Sequence, residues 1–167
     1  MCLYFVSPKW HIETQSIASL RNARYICLMI NQLNSNYLFV YGTLLHAGNI
    51  FAIYLKNNCS FYRPGKFKGR LYDIGEYPGA IADSSHPNYV YGSIFRMDDA
   101  ANALKYLDDY EGFGIEQEQP NLFERKIIEV ETNEETVNCW VYLYNLPVDN
   151  FELIGSGNYL DYKAGLF

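Results

Sequence analysis

The chain has 167 residues, of which 49% are hydrophobic, 17% aromatic and 19% charged, with thirteen basic and nineteen acidic groups giving a net charge of −6. That size suits one domain able to bury about 70% of its unfolded surface; it excludes intrinsic disorder, and the longest apolar runs, such as Tyr25 to Ile30, fall far short of the roughly 20 residues of a spanning helix. Net acidity without a basic block excludes a nucleic-acid backbone as partner, while sixteen tyrosines and ten phenylalanines point to strands and a lined pocket.

Residues 1–36 carry a local net charge of +2, against −8 for the remainder. The apolar runs of this segment are short and broken by Pro8, Lys9 and His11, so no signal-peptide pattern is present; its basic, serine-containing composition also suits a transit peptide. It reads as a poorly packed N-terminal extension, with the folded domain spanning 37–167. Tyr37-Leu38-Phe39-Val40-Tyr41 is an apolar, aromatic run ended by Gly42, which predicts a buried strand feeding a loop. Gly48 to Leu55 suits a short helix. Lys66 to Ile74 alternates as a strand, and Tyr77-Pro78-Gly79 predicts a turn. Tyr89 to Arg96 is a second aromatic strand whose central Gly92 marks a bulge or a close approach.

One helix is clear. Asp98 or Asp99 caps it, Ala100, Leu104 and Leu107 lie on one stripe, and Gly112 stops it after Tyr110-Glu111. Phe123 to Glu131 and Thr136 to Tyr144 then alternate as a hairpin. The second strand puts Trp140, Tyr142 and Tyr144 on one face and Val137, Cys139, Val141 and Leu143 on the other. After Pro147 little periodicity remains, and the chain is expected to wrap the outside. Mostly antiparallel strands with one main helix give an α+β class, a curved sheet or small barrel.

Cys2, Cys27, Cys59 and Cys139 are scattered, and His11, His46 and His86 are dispersed, so no metal-ligand spacing exists. The scattered cysteines read as four reduced thiols or as including one disulfide pair; the reduced reading, with the missing export pattern, indicates the cytoplasm. Three segments suit chemistry. Tyr41-Gly42-Thr43-Leu44 reads as backbone N–H groups that hold a carboxylate, or as an ordinary turn. In Leu107-Asp108-Asp109-Tyr110-Glu111-Gly112, three acids crowd a helix C-terminus, where the macrodipole disfavours them. One of them is then retained as a general acid/base, or Asp108 and Asp109 are merely solvated and Glu111 caps a strand. Arg125 is either an inward guanidinium paired with Glu111 or an anionic ligand, or a surface arginine on an edge strand.

Taken together, these segments resemble the gamma-glutamylcyclotransferase-like family, in its gamma-glutamylamine cyclotransferase-type branch. Leu38-Phe39-Val40-Tyr41-Gly42-Thr43-Leu44-Leu45 is similar to its opening strand and substrate loop. Gly69-Arg70-Leu71-Tyr72 and Tyr77-Pro78-Gly79 resemble its G-x-L-Y and Y-P-G elements, and Val90-Tyr91-Gly92 its central strand. Leu107 to Gly112 resembles the L-D-x-x-E-G segment of the catalytic glutamate, and Trp140 to Tyr144 its late aromatic strand. Two departures are Phe123 where the family usually has tyrosine, and Asn158-Tyr159 where tryptophan often follows glycine.

The resemblance implies a small mixed, mostly antiparallel β-barrel flanked by a few helices, with a pocket at one end. It implies Glu111 as catalytic acid/base and Tyr41, Gly42, Thr43, Leu44, Arg125 and Tyr144 as substrate-binding residues. The implied reaction cyclises a gamma-glutamyl amine or amino acid to 5-oxoproline and releases the free amine, with no cofactor and no metal. The implied partner is a small gamma-glutamyl substrate, with neither nucleic acid nor membrane. A binding protein that holds a small acidic or amine metabolite in the same pocket is the alternative.

Overall fold

The structure is a computed structural model and describes residues 35–42 and 50–165. Expectations placed on residues 1–34, and on Thr43, Leu44 and His46, lie outside the described residues. Strand β1 (Tyr37–Val40) is buried on both faces, which its continuous apolar sequence permits. It pairs antiparallel with β4 (Tyr89–Met97) and parallel with β6 (Thr136–Tyr144), where Leu38 meets Trp140. The β6 strand forms a hairpin with β5 (Phe123–Glu131), from Phe123 opposite Tyr144 to Glu131 opposite Thr136.

Strand β4 also pairs with the long β2 (Cys59–Asp73), and Lys66 of β2 meets Glu131 of β5. That last contact closes the ring β2-β4-β1-β6-β5 into a five-stranded barrel. Two further strands, β3 (Pro78–Ala82) and β7 (Glu152–Leu153), pair antiparallel with β2 outside the ring. The described helices are α1 (Ile50–Asn58), α2 (Ala100–Glu111) and α3 (Tyr159–Ala164). The fold is the expected α+β, mixed and mostly antiparallel barrel.

Alternation along β6 divides the core. Val137, Cys139, Val141 and Leu143 pack with Phe39, Phe67 and Ile94 in one buried cluster. Tyr142 and Tyr144 pack with Leu55 of α1 and with Leu104 and Leu107 of α2 in the other. Each fully buried side chain of this size stabilises by about 1.5–3 kcal/mol, so both faces of the sheet contribute. Gly92 marks a close approach: a Cβ there would stand 2.3 Å from the Val40 carbonyl oxygen and 2.7 Å from the Phe39 ring.

Helix α2 begins where the Asp99 carboxylate accepts the Asn102 N–H at 3.1 Å, so Asp99 rather than Asp98 is the cap. Two expectations change. The bend falls before Pro78, at Gly75 with φ +113°, and Pro78 opens β3. Proline at the first strand residue sacrifices no ladder donor that the strand needs. The end of the chain does more than wrap: Tyr159 of α3 is 2% exposed and belongs to the core cluster of Phe39 and Phe67.

Candidate active site

Two elements meet at the site. The first is the end of β1, where Gly42 is required by space: a Cβ there would stand 2.6 Å from Pro78 Cγ. The buried Tyr41 hydroxyl donates to the Tyr142 carbonyl at 2.6 Å and accepts the Ala80 N–H at 3.4 Å, tying β1 to β6 and β3. Burial is the main cause that raises the Tyr41 pKa, and the charge of Glu111 raises it further.

The second element is the C-terminal turn of α2. Gly112, at φ +65°, ends the helix in the left-handed conformation that glycine adopts freely. Its N–H and that of Phe113 both bond to the Asp108 carbonyl, the latter at 2.9 Å. This cap fixes the backbone of Glu111 between Asp108 and Gly112.

A cavity of about 180 Å³ lies between them, walled by Leu38, Val40, Tyr41, Pro78, Phe123 and Tyr142 among others. Glu111 is the one charged side chain among its described lining residues. Desolvation by this apolar wall pushes the Glu111 carboxyl up to about 7. A carboxyl that exchanges its proton near neutral pH can both accept and return one. Burial likewise raises the Tyr77 phenol, with Tyr144, Glu76, Glu111 and Tyr110 adding to the effect.

Of the expected site residues, Tyr41, Gly42 and Glu111 come together on this cavity. Tyr144 stands behind the wall: its ring packs edge-on against Phe123, with centroids 5.8 Å apart. Arg125 is not brought to the cavity. Its Nη1 lies 2.9 and 2.7 Å from the two Asp108 oxygens, and its guanidinium is 5.0 Å from the Trp140 ring centre. The carboxylate that an inward arginine needs is therefore Asp108, one turn before Glu111, because Arg125 and its cross-strand partner Tyr142 converge on that residue.

Asp108 is thus paired with Arg125 and Tyr142 rather than merely solvated. Pro78, Leu122 and Phe123 also belong to the wall, as do Tyr77 and Tyr142, two of the motif tyrosines whose surplus pointed to a lined pocket. For Tyr142, the shared face with Trp140 and Tyr144 was a usable signal, whereas Leu122 carried none. Among the described residues, no group of three or more His, Cys, Asp or Glu side chains could hold a metal, and no helix is long and apolar enough to cross a membrane. Cys59 and Cys139 are buried free thiols, which burial pushes up to about 11 and about 12.

The sequence profile of the family described as gamma-glutamyl cyclotransferase, AIG2-like, matches residues 38–161. The chain belongs to this family. The gamma-glutamylcyclotransferase family protein YtfP of Escherichia coli K12 is 31% identical over 131 residues, covering 74% of this chain and 96% of its own. The solution structure of the E. coli protein superposes with a TM-score of 0.54 at 30% identity, over 76% of this chain and 98% of that one. A gamma-L-glutamyl-butirosin B gamma-glutamyl cyclotransferase of Niallia circulans is 33% identical over 111 residues, covering 65% of this chain and 66% of its own. The crystal structure of YkqA from Bacillus subtilis shares the fold, with a TM-score of 0.59 at 23% identity over 78% of this chain and 42% of that one.

Proposed function

We propose that this gamma-glutamyl cyclotransferase-type protein cyclises a gamma-glutamyl amine or gamma-glutamyl amino acid, with Glu111 as general acid/base. The supporting observation is Glu111 itself: a single carboxyl in an apolar, aromatic cavity, with its pKa pushed to about 7. In a gamma-glutamyl compound the α-nitrogen can attack its own side-chain carbonyl and close a five-membered lactam. Folding the substrate into that geometry supplies the proximity advantage of an intramolecular reaction. Glu111 removes a proton from the attacking nitrogen and returns one to the departing nitrogen as the C–N bond breaks. The products are 5-oxoproline and the free amine.

Backbone N–H groups of the Tyr41–Leu44 stretch would hold the substrate α-carboxylate, since the Arg125 guanidinium is already committed to Asp108. No residue in this scheme calls for a metal or cofactor. Incubation with a panel of gamma-glutamyl amines and dipeptides, read by mass spectrometry for 5-oxoproline, tests the reading. At least one member is expected to turn over, and Glu111→Gln is expected to abolish turnover while retaining the wild-type circular dichroism. Full activity in that variant would remove Glu111 from the mechanism. Binding without turnover across the panel would leave a metabolite-binding protein instead.

A further inference from the structure

Arg125 has a set of partners that bracket Glu111. Arg125 and Tyr142 face each other across the β5–β6 hairpin. Both donate to Asp108, Arg125 Nη1 at 2.9 and 2.7 Å and the Tyr142 hydroxyl at 2.8 Å. The ion pair is largely buried, with side chains 21% and 22% exposed, so it is not a solvent-screened surface bridge. On the far side of Glu111, the Phe113 ring lies 5.4 Å from the Arg125 guanidinium, and the Phe113 N–H bonds to the Asp108 carbonyl. Residues on both sides of Glu111 are therefore gripped by one arginine.

The helix needs such a grip. Its last turn holds Asp108, Asp109 and Glu111 and no basic residue, at the end where the macrodipole disfavours negative charge. We propose that Arg125 is a positioning residue: through Asp108 and Phe113 it clamps the last turn of α2 onto the β5–β6 hairpin, so that the Glu111 side chain stays seated in the cavity. This inference rests on Glu111 being the acid/base, and it gives Arg125 a role other than touching substrate.

Glu111 shares its cavity with Tyr41 at the end of β1, Tyr77 from the β2–β3 connection, Tyr142 from β6 and Tyr110 on its own helix; Asp108, held by Arg125 and Tyr142, and Asp109 precede it in the same turn. Burial keeps the first three phenols neutral, so release of the clamp reads out in the Glu111 carboxyl. The test is a carbon-13 NMR titration of that carboxyl, which needs no substrate, beside steady-state kinetics on the best member of the panel. In the wild type the midpoint is expected at about 7. In Arg125→Met and in Asp108→Asn it should move toward the ordinary 4.5 as water enters, and kcat should fall on the order of a hundredfold with KM little changed.

Arg125→Lys, which keeps the charge, should restore part of both, and the double variant should fall no further than either single one. An unchanged Glu111 midpoint and kcat in folded Arg125→Met would overturn the clamp and leave the acid/base reading standing. A wild-type midpoint near 4.5 would instead overturn the reading of Glu111. If Arg125→Met fails to fold, Asp108→Asn and Arg125→Lys carry the same titration.

Discussion

A buried carboxyl that titrates near neutrality costs the fold something, and the size and pH window of that cost follow from Glu111. Its folded pKa of about 7 lies above the ordinary 4.5. Between those values the folded chain keeps a proton that the unfolded chain has released. With fewer protons on the unfolded state, stability falls as pH rises through this window and is level above it. The full shift corresponds to about 3 kcal/mol, and water reaching the partly exposed side chain reduces it to about 2. Glu111→Gln removes the effect. Urea unfolding of the two chains should agree near pH 4, and the variant should be about 2 kcal/mol more stable at pH 8. A difference that is the same at both pH values would mean that the carboxyl titrates normally.

At the scale of elements, α2 separates stability from catalysis by its two ends. The Asp99 cap accepts the Asn102 N–H far from the cavity, so Asp99→Ala should cost about 1 kcal/mol of stability and leave kcat unchanged. Gly112→Ala places a Cβ at φ +65°, at a cost of about 1–2 kcal/mol. It directly follows Glu111, so kcat should fall with it. Thermal melts and kinetics on both variants check the contrast, and a loss of kcat in Asp99→Ala would count against it. These local features are what a sequence exposes: the caps of α2, the 3.6-residue stripe of Leu104 and Leu107, and the period-2 alternation of β5 and β6 all depend on neighbours a few residues away. The cavity end of Glu111 was legible for the same reason, as acids crowding a helix C-terminus. The partner of Arg125 was not. Choosing between Glu111 and Asp108 requires knowing how a helix turn lies against a hairpin 17 residues downstream. Nor was Tyr159, whose core position depends on α3 packing back over strands far earlier in the chain.

At the scale of the molecule, barrel closure decides where the domain begins. Strand β1 lies between β4 and β6 in the ring, and the residues that lead into it are tied to both neighbours. Ser35, 8% exposed, donates from its hydroxyl to the Asn138 carbonyl at 2.5 Å, and its own carbonyl accepts the Trp140 indole N–H at 2.9 Å. The Asn36 carbonyl accepts the Met97 N–H at 2.8 Å. Composition alone assigned both residues to the 1–36 extension, because hydrogen bonds to β4 and β6 leave no mark on charge or hydropathy. We propose that the independently folding unit starts at Ser35 rather than Tyr37. A shortened chain beginning at Ser35 should fold and unfold cooperatively. One beginning at Leu38 strands the Trp140 and Met97 N–H groups and removes the start of β1. At about 1–3 kcal/mol for each buried donor left without a partner, the second chain should unfold at clearly lower urea concentration, and identical midpoints for the two would move the boundary back into the strand.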